Sequence, residues 1–470
     1  MNSDPLKLLM LCTPLVLLAG CAANIADRGW QPMRPLGKDL ATMRPALDAK
    51  AAAAREPAIA EEPDGSLTLR QALTLAMLHS PDLAGASWEV RASEARALQA
   101  ILPPNPGIGL DVESIASPRI VESVLSVGQL IFLSDKLSRQ KKVALLDRDM
   151  AGWEWEAQRI RVYTDTTRAF IALVAAQERL ALAEENVEVS QKLLDVAAER
   201  VHSGKAAPLE EMKAKVELGT VRADLAQAKQ TVLTARQRLA AMWGGMRPKF
   251  AKAEGKLDIK SNVPTTDQLF ALIAQNTEVA RWATEMERRE AVVVLERRKA
   301  IPDLTIGGGY KRESASGEPT LRGFTVGGSI PVPIFDRNQG GIKESRYNVA
   351  KGREEQRATK ARVLTELAEA YRSMASAHAR SVILGKEVVP EAQKAFDAAV
   401  AGYDEGKFAY LDVLDAQRTV FDARIQQNEA LAEHLAATAD VEGLIGQSID
   451  SLSQTNATTQ RATTQKSQEK

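Results

Sequence analysis

The stretch Arg200-Val-His-Ser-Gly-Lys-Ala-Ala-Pro-Leu-Glu210 returns 202 residues later as Gly402-Tyr-Asp-Glu-Gly-Lys-Phe-Ala-Tyr-Leu-Asp412. Each copy places a Gly-Lys pair between two long helix-favouring segments, which is typical of a turn that joins two helices. The same spacing also aligns Leu209 with Leu411, Ala214 with Ala416, Arg222 with Arg424 and Gly244 with Gly446. A constant spacing across glycine turns is not expected from chance similarity between Ala-rich helices, so it indicates an internal duplication.

The duplication extends upstream with a slightly different spacing. Leu73–Ala95 corresponds to Leu269–Ala291 at a distance of 196 residues, which implies small insertions between equivalent halves. We therefore divide the chain into a first structural repeat at 66–262 and a second at 263–450. The segment 451–470 is rich in Ser, Thr and Gln and is expected to be a disordered polar tail.

Long helices dominate both repeats. From Ser134 to Ser203 there is no proline and the only glycine is Gly152. About 70 residues at 1.5 Å each give a helix on the order of 100 Å, which no globular core can cover. Apolar and small residues recur at alternating spacings of three and four between Leu173 and Val201, the pattern of a coiled-coil seam. The second repeat has the equivalent helix at about Gly341–Tyr403, with an expected kink at Pro390.

Two predicted strands precede the long helix in each repeat. A helix is expected from Thr68 to Leu102, and Pro103 ends it. Apolar residues then alternate with small or polar ones, in segments of about 9–11 residues, the length that crosses a bilayer when tilted. The apolar positions in phase are Ile108, Leu110 and Val112, then Val121, Leu125, Val127 and Ile131, then Leu304, Ile306 and Tyr310, and finally Phe324, Val326, Ile330 and Val332.

Four strands allow two architectures. Single-chain outer-membrane barrels need at least about eight strands, so several subunits would have to share one barrel. The same alternation also suits two soluble hairpins packed on a core. The strand pattern alone leaves both possibilities open.

The N-terminus indicates export and lipid attachment. The apolar run Leu6–Gly20 is too short to span a membrane and predicts a signal peptide at 1–20. Small residues directly precede Cys21, which resembles the bacterial lipobox; this implies lipidation of Cys21, with diacylglycerol and palmitate attached. The alternative is an ordinary signal peptide followed by a chance cysteine. No later run of 18 apolar residues predicts a membrane helix, and 21–65 is expected to be an extended, lipid-anchored segment.

Composition excludes several classes of function. Lys+Arg and Asp+Glu both number 61, so no basic excess suggests nucleic-acid binding. The four histidines are scattered, and both cysteines lie near the N-terminus. The sequence shows no nucleophile–base pair, no cluster with the spacing of metal ligands and no phosphate-binding loop. We therefore expect that the protein is not an enzyme and that it has no catalytic residue, metal site or cofactor.

With its duplicated strand–hairpin layout and the two Gly-Lys turns, the chain resembles the outer membrane efflux protein family, the TolC-like channels, over roughly residues 66–447. The resemblance implies a mainly α fold with a small β part. Each chain of a homotrimer would give four strands to one twelve-stranded outer-membrane β-barrel, continued by a long coiled-coil α-helical tunnel in the periplasm. The tunnel would meet a periplasmic adaptor protein coupled to an inner-membrane pump of the RND type. The chain would thus be a passive, gated duct, lipid-anchored in the outer membrane of a Gram-negative bacterium, with no nucleic-acid partner.

The same resemblance assigns candidate site residues. Asp412 and Asp415 match the aspartates that gate the closed tunnel end, and their spacing places them on one helix face. The alternative is that both are ordinary first-turn acids favoured by the helix N-terminus. The residues expected to contact the adaptor are Gly204, Lys205, Leu209, Gly406, Lys407 and Leu411; the two lysines could equally be solubilising charges.

Four further segments bear on the cargo. Asn105-Pro106, Lys136 with Arg139, Ala175–Leu180 and Pro333–Gly340 look like the heavy-metal branch of the family, which exports cobalt, zinc, cadmium or nickel. Ser134-Asp135 replaces the glycines usual before the lysine. Alternatives are a drug-efflux duct, a type I protein-secretion duct or, from another class, a periplasmic coiled-coil scaffold lipoprotein.

Overall fold

A computed structural model describes residues 33–45, 61–115, 120–259 and 263–451. The α-helices in these ranges are α1 (Leu69–His79), α2 (Pro81–Gln99), α3 (Lys136–His202), α4 (Pro208–Ala241), α5 (Thr266–Phe270), α6 (Thr277–Lys299), α7 (Gln339–Ile383), α8 (Val389–Asp404) and α9 (Tyr410–Ile445). The strands are β1 (Ser66–Thr68), β2 (Gly107–Ile115), β3 (Ile120–Ile131), β4 (Lys252–Glu254), β5 (Leu304–Ala315) and β6 (Leu321–Ser329).

One compact unit consists, within the described residues, of Val90–Gly152 and Thr284–Gly352. It contains one open antiparallel sheet in the order β2-β3-β5-β6. The predicted strand pair of each repeat is confirmed, and the two pairs join through β3 and β5.

The two faces of this sheet differ sharply in side-chain size. One row of paired residues crosses all four strands with large apolar side chains, namely Leu110, Leu125, Tyr310 and Phe324. Their exposed fractions run from 38% for Tyr310 to 79% for Phe324. The opposite face carries a row made only of glycine, namely Gly107, Gly128, Gly307 and Gly327. An apolar face left this exposed disfavours two hairpins packed on a soluble core, because none of the described residues forms a core over it.

The second compact unit, within the described residues, consists of 33–45, 61–89, 153–283 and 353–451. Helices α3 and α4 form one hairpin, and α8 and α9 form the other. Its short strands β1 and β4 pair in parallel. One buried cluster includes Leu367 of α7 and Val441 of α9, and another includes Tyr403 and Tyr410 at the second hairpin turn.

The N-terminal segment 33–45 is held by a buried ion pair in this second unit. The side chains of Glu156 and Arg159 are both fully buried and lie 2.7 Å apart. Arg159 also donates to the carbonyl of Leu36 at 2.7 Å, and Glu156 accepts from the N–H of Arg34 at 2.6 Å. A side-chain pair on α3 thereby replaces the secondary-structure partners that this segment lacks.

Two helix predictions need correction. The helix expected from Thr68 to Leu102 is two helices that break at Ser80, because Pro81 has no N–H to continue the hydrogen-bond ladder. The kink expected at Pro390 takes the form of a π-helical turn at Leu384–Val388, and Pro390 occupies the first turn of α8.

None of the helices in the four described ranges is both long and apolar enough to pass through a membrane. The predicted signal peptide, Cys21 and positions 452–470 of the predicted tail lie outside the described residues.

Candidate functional site

The two hairpin turns adopt the same backbone conformation. Gly204 and Gly406 are left-handed, with φ of 73° and 75°. In both turns the N–H of the following lysine, Lys205 or Lys407, donates to the carbonyl five residues earlier at 2.8 Å. This is the pattern by which a left-handed glycine ends a helix and satisfies its last carbonyls. We call residues 200–210 and 402–412 the first and second tips.

Replacing the left-handed glycine is expected to weaken each tip. Gly406→Ala should lower the free energy of unfolding by about 1–2 kcal/mol, because an L-residue is strained in this conformation. Gly219→Ala is the matched control, since Gly219 lies in α4 and an added Cβ would have no atom within 4 Å apart from the backbone of its own helix and the neighbouring residues. The control should be neutral or stabilising by about 0.5–1 kcal/mol. Heat-induced loss of helical circular dichroism measures both, and equal effects in the two variants would contradict the assignment.

The two tips are joined to each other within the chain. The guanidinium of Arg200 lies over the ring of Tyr403, 4.4 Å from its centre, and donates to the Tyr403 carbonyl. The Tyr403 hydroxyl donates to the Glu210 carboxylate at 3.0 Å. Arg200 and Glu210 belong to the first tip and Tyr403 to the second, so one aromatic side chain holds both.

Burial supports the neutral form of this tyrosine. Tyr403 and Tyr410 are each 2% exposed, and their rings meet edge to face with centres 5.9 Å apart. Burial, reinforced by the hydrogen bond to Glu210, raises the pKa of Tyr403 to about 12. Burial and the nearby Glu217 raise the pKa of Tyr410 to about 12 as well. The hydroxyl of Tyr403 therefore remains a donor throughout the physiological pH range.

The residues predicted to contact an adaptor lie on the surface of the tips. Leu209 and Leu411 are 55% and 56% exposed. Lys205 and Lys407 are also exposed, and Lys407 forms an ion pair with Glu405. An apolar group beside a charge on each tip is consistent with a docking surface, and the adaptor assignment stays a prediction.

The two predicted gate residues have different local roles. Both are exposed on α9. The carboxylate of Asp412 accepts from the N–H of Ala409 at 2.9 Å, so it satisfies a free donor at the start of the helix. Asp415 makes no such capping contact and lies near Arg418, whose pKa is raised chiefly by its hydrogen bond to Glu217. The helix-start role is thus present for Asp412, and a gate role for either residue stays a prediction.

Sequence reasoning missed a polar network below the tips. Gln417 of α9 is 1% exposed and donates to Asn186 at 2.7 Å and to Ser190 at 2.6 Å, both on α3. Arg418 bonds to the buried Glu217 of α4. The signal that could have found Gln417 is its place on the apolar stripe of α9, four residues after Val413, where an amide needs a partner.

A second set of contacts repeats the duplication in three dimensions. Arg222 donates to Gln191, which donates to Asp195 at 3.0 Å. The equivalent residues 202 positions later make the same contacts, since Arg424 donates to Gln393, which donates to Asp397 at 2.8 Å. The internal duplication predicted from the sequence is therefore confirmed in the hydrogen bonding of both hairpins.

Two of the four scattered histidines meet in the fold. The rings of His378 and His434 lie 5.2 Å apart, on α7 and α9. Burial lowers the pKa of His434, and its Nδ1 lies 3.1 Å from the carbonyl of Met374. Across the ranges that the structure describes, no group of three or more His, Cys, Asp or Glu side chains could hold a metal ion.

The lysine–arginine motif near the start of α3 also has defined partners. Lys136 is 8% exposed and pairs with Asp303 at 2.7 Å, just before β5. Arg139 pairs with Asp135 at 2.7 Å, and Asp135 also meets Arg298 at 2.9 Å. Asp135, which stands where a glycine is usual, thus links α3 to α6.

Comparison with known proteins identifies the family. The profile described as outer membrane efflux protein matches this chain twice, at residues 72–245 and 270–447. The chain belongs to the outer membrane efflux protein family. The double match agrees with the duplicated tips and with the hydrogen bonds that repeat between the hairpins.

Individual relatives agree with this membership. The chain is similar to the cobalt-zinc-cadmium resistance protein CzcC of Cupriavidus metallidurans, with 34% identity over 83% of this chain and 92% of the relative. It is also similar to the nickel and cobalt resistance protein CnrC of the same organism, with 28% identity over 62% of this chain and 68% of the relative.

Solved structures show the same fold. The CmeC outer membrane channel of Campylobacter jejuni has a TM-score of 0.68 and 16% identity, covering 80% of this chain and 85% of that one. The MtrE outer membrane channel of Neisseria gonorrhoeae has a TM-score of 0.67 and 15% identity, covering 81% and 89%. This outer membrane efflux protein is therefore an outer-membrane channel subunit with a periplasmic helical part, from a family of efflux ducts rather than of enzymes.

Proposed function

We propose that this outer membrane efflux protein is the exit duct for divalent heavy-metal cations in a tripartite efflux system. The observation that supports this cargo is the function of its relatives: CzcC is a cobalt-zinc-cadmium resistance protein and CnrC a nickel and cobalt resistance protein. The nickel-cobalt-cadmium resistance protein NccC, 28% identical over 62% of this chain, points the same way. A water-filled duct needs no binding ligands for its cargo, so the scarcity of His and Cys does not oppose the proposal.

The assembly we propose is a homotrimer with two further protein partners. Each chain gives the four strands β2, β3, β5 and β6, and three such sheets close one twelve-stranded barrel with the apolar faces towards lipid. The two tips, with exposed Leu209 and Leu411, meet a periplasmic adaptor protein that couples the duct to an inner-membrane pump of the RND type. The pump supplies the energy, and this subunit conducts passively. Lipid attached to Cys21 tethers the chain to the outer membrane.

The gate we propose consists of Asp412 and Asp415 in a ring. Threefold symmetry would bring six carboxylates together where the tunnel narrows. Such a ring concentrates cations and repels anions. Glu210 and Lys213 occupy the equivalent positions in the first hairpin, so only the second hairpin offers two carboxylates at these positions.

Removing the ring is expected to change conduction. The Asp412→Ala/Asp415→Ala variant should show larger single-channel conductance and weaker cation selectivity than the wild-type protein in planar bilayers, because both repulsion and cation attraction are lost. Asp224→Ala/Asp422→Ala is the matched control, since both carboxylates are exposed on α4 and α9 further from the tips. Unchanged selectivity in the gate variant would contradict the gate and leave Asp412 with its helix-start role alone. Absence of conductance from every variant, with a monomer in detergent, would reject the duct and favour a scaffold.

A further inference from the structure

A basic depression lies where the chain leaves β6 and enters α7. It has a volume of about 480 Å³ and is open to solvent. Its lining residues are Arg337, Gln339, Ile342, Lys343, Arg346 and Tyr347. None of them takes part in the tips or in the sheet, so the channel function does not account for this cluster.

Three cations of the basic depression lack a carboxylate partner. Arg337, Lys343 and Arg346 are exposed, and across the described ranges none lies within 4 Å of an acidic oxygen. The Nε of Arg337 donates to the carbonyl of Pro333 at 3.1 Å, which fixes the guanidinium and leaves its terminal NH2 groups available. Lys343 and Arg346 are three residues apart and therefore share a helix face.

The start of helix α7 adds positive potential, and three acids lie near it. The 45-residue helix α7 begins at Gln339, so its N-terminal partial charge lies at the depression. Asp336 accepts from the N–H of Asn338 at 2.8 Å, Glu296 accepts from the Asn338 side chain at 2.7 Å, and the exposed Glu344 follows Lys343 without an ion pair to any of the three cations. The Nζ of Lys343 lies 5.8 Å from the centre of the Tyr347 ring, which presents an aromatic surface beside the charge.

Exposed apolar residues directly precede the three cations. Val332, Ile334 and Phe335 are 74%, 63% and 89% exposed. They follow the end of β6, and Thr305 pairs with Ser329 at that same end of the sheet. Apolar and aromatic groups beside Lys and Arg at the edge of a lipid-facing sheet are the arrangement that receives an amphiphile with a negative head.

We propose that the basic depression binds the phosphate of an anionic glycerophospholipid from the membrane leaflet nearest the helices. Arg337, Lys343 and Arg346 hold the headgroup, and Val332, Ile334 and Phe335 contact its acyl chains. Charge complementarity selects this occupant, because three unpaired cations beside exposed apolar side chains match one anionic lipid. The proposal rests on the sheet being the membrane-embedded part of the proposed duct.

Native mass spectrometry of the full-length protein in detergent tests the proposal, with added phosphatidylglycerol or phosphatidylcholine as probes. Each cation near an anionic headgroup contributes about a fivefold factor in affinity. The wild-type protein should retain phosphatidylglycerol over phosphatidylcholine by about tenfold or more. Arg337→Gln/Lys343→Gln/Arg346→Gln should lose this preference, whereas the control Lys229→Gln/Arg353→Gln/Lys360→Gln, with three exposed cations elsewhere, should keep it.

Several results would overturn the proposal. Equal retention of the two lipids by the wild type would do so, as would an unchanged preference in the triple variant. Displacement of phosphatidylglycerol by millimolar inorganic phosphate would indicate a phosphate site instead. If the oligomer of the triple variant dissociates but the protein still retains phosphatidylglycerol, the three cations contact a second copy of the chain instead of lipid. Conductance of the triple variant is the separate readout: it should equal that of the wild type, so failure of the lipid site and failure of the duct are distinguishable. If the triple variant does not assemble, Lys343→Gln alone should lose about fivefold.

Discussion

Replacing Arg159 with methionine is expected to lower the free energy of unfolding by about 3–5 kcal/mol, because the fully buried carboxylate of Glu156 would lose its partner. Arg159 binds Glu156 through two nitrogens, at 2.7 and 2.8 Å. It also donates to the carbonyls of Leu36 and Arg34, at 2.7 and 3.2 Å. Arg159 is the ion-pair partner of Glu156, and the guanidinium of Arg34 attracts the same carboxylate without forming an ion pair among the described residues. The variant therefore leaves the buried carboxylate of Glu156 without its ion-pair partner and two carbonyls without their hydrogen-bond donor.

The measurement is heat-induced loss of helical circular dichroism, together with tryptic cleavage after Lys38. Lys38 is exposed and lies in the segment that the ion pair holds, so cleavage should accelerate in Arg159→Met. The Glu156→Leu/Arg159→Met variant should recover part of the loss, because it removes the buried charge itself. Arg161→Met is the matched control, since Arg161 is exposed and its side chain donates to Gln158 at 3.4 Å. Equal loss of stability in Arg161→Met and Arg159→Met would contradict the role of the pair.

Loosening the contact between the tips is expected to raise single-channel conductance several-fold. Arg200→Ala removes a charged hydrogen bond and a cation–π contact to Tyr403, together worth about 2 kcal/mol. That energy corresponds to roughly thirtyfold in the equilibrium between joined and separated tips. Tyr403→Phe removes only the bond to Glu210 and should have a smaller effect.

The control for this prediction is Arg222→Ala, which removes an arginine that contacts Gln191 at 3.1 Å away from the tips. Its conductance should equal that of the wild type, and wild-type conductance in Arg200→Ala would show that this contact does not hold the tips.

The tip contact should also depend on pH only in strong base. Tyr403 has a pKa of about 12 against an ordinary value of 10. Its contribution to stability is therefore complete below pH 10 and is lost between pH 10 and 12, as the unfolded chain releases its proton first.

Local patterns in the sequence predict much of the fold. The repeated Gly-Lys turns predict the two hairpins, because a left-handed glycine is a local requirement of the backbone. Alternating apolar residues predict all four strands, because one face of each strand must differ from the other. The break at Ser80 escaped the prediction, although Pro81 marks it, because the apolar period continues across the break.

Contacts between distant segments could not be predicted in the same way. The partners Arg200 and Tyr403 lie 203 residues apart, and nothing local to either residue selects the other. The same holds for Gln417 with Ser190, and for Arg159 with the segment around Leu36. The candidate gate was predictable only as two acids on a helix start, because their meeting in a ring depends on other copies of the chain.

The most direct test of the central claim is cadmium and zinc accumulation in cells that lack this gene and carry it back on a plasmid. Cells without the gene should accumulate more of both cations and stop growing at lower cadmium, zinc or cobalt concentrations, with unchanged tolerance of hydrophobic antibiotics. The wild-type gene should restore export. Unchanged metal accumulation together with greater antibiotic sensitivity would contradict the heavy-metal cargo and assign this outer membrane efflux protein to drug export.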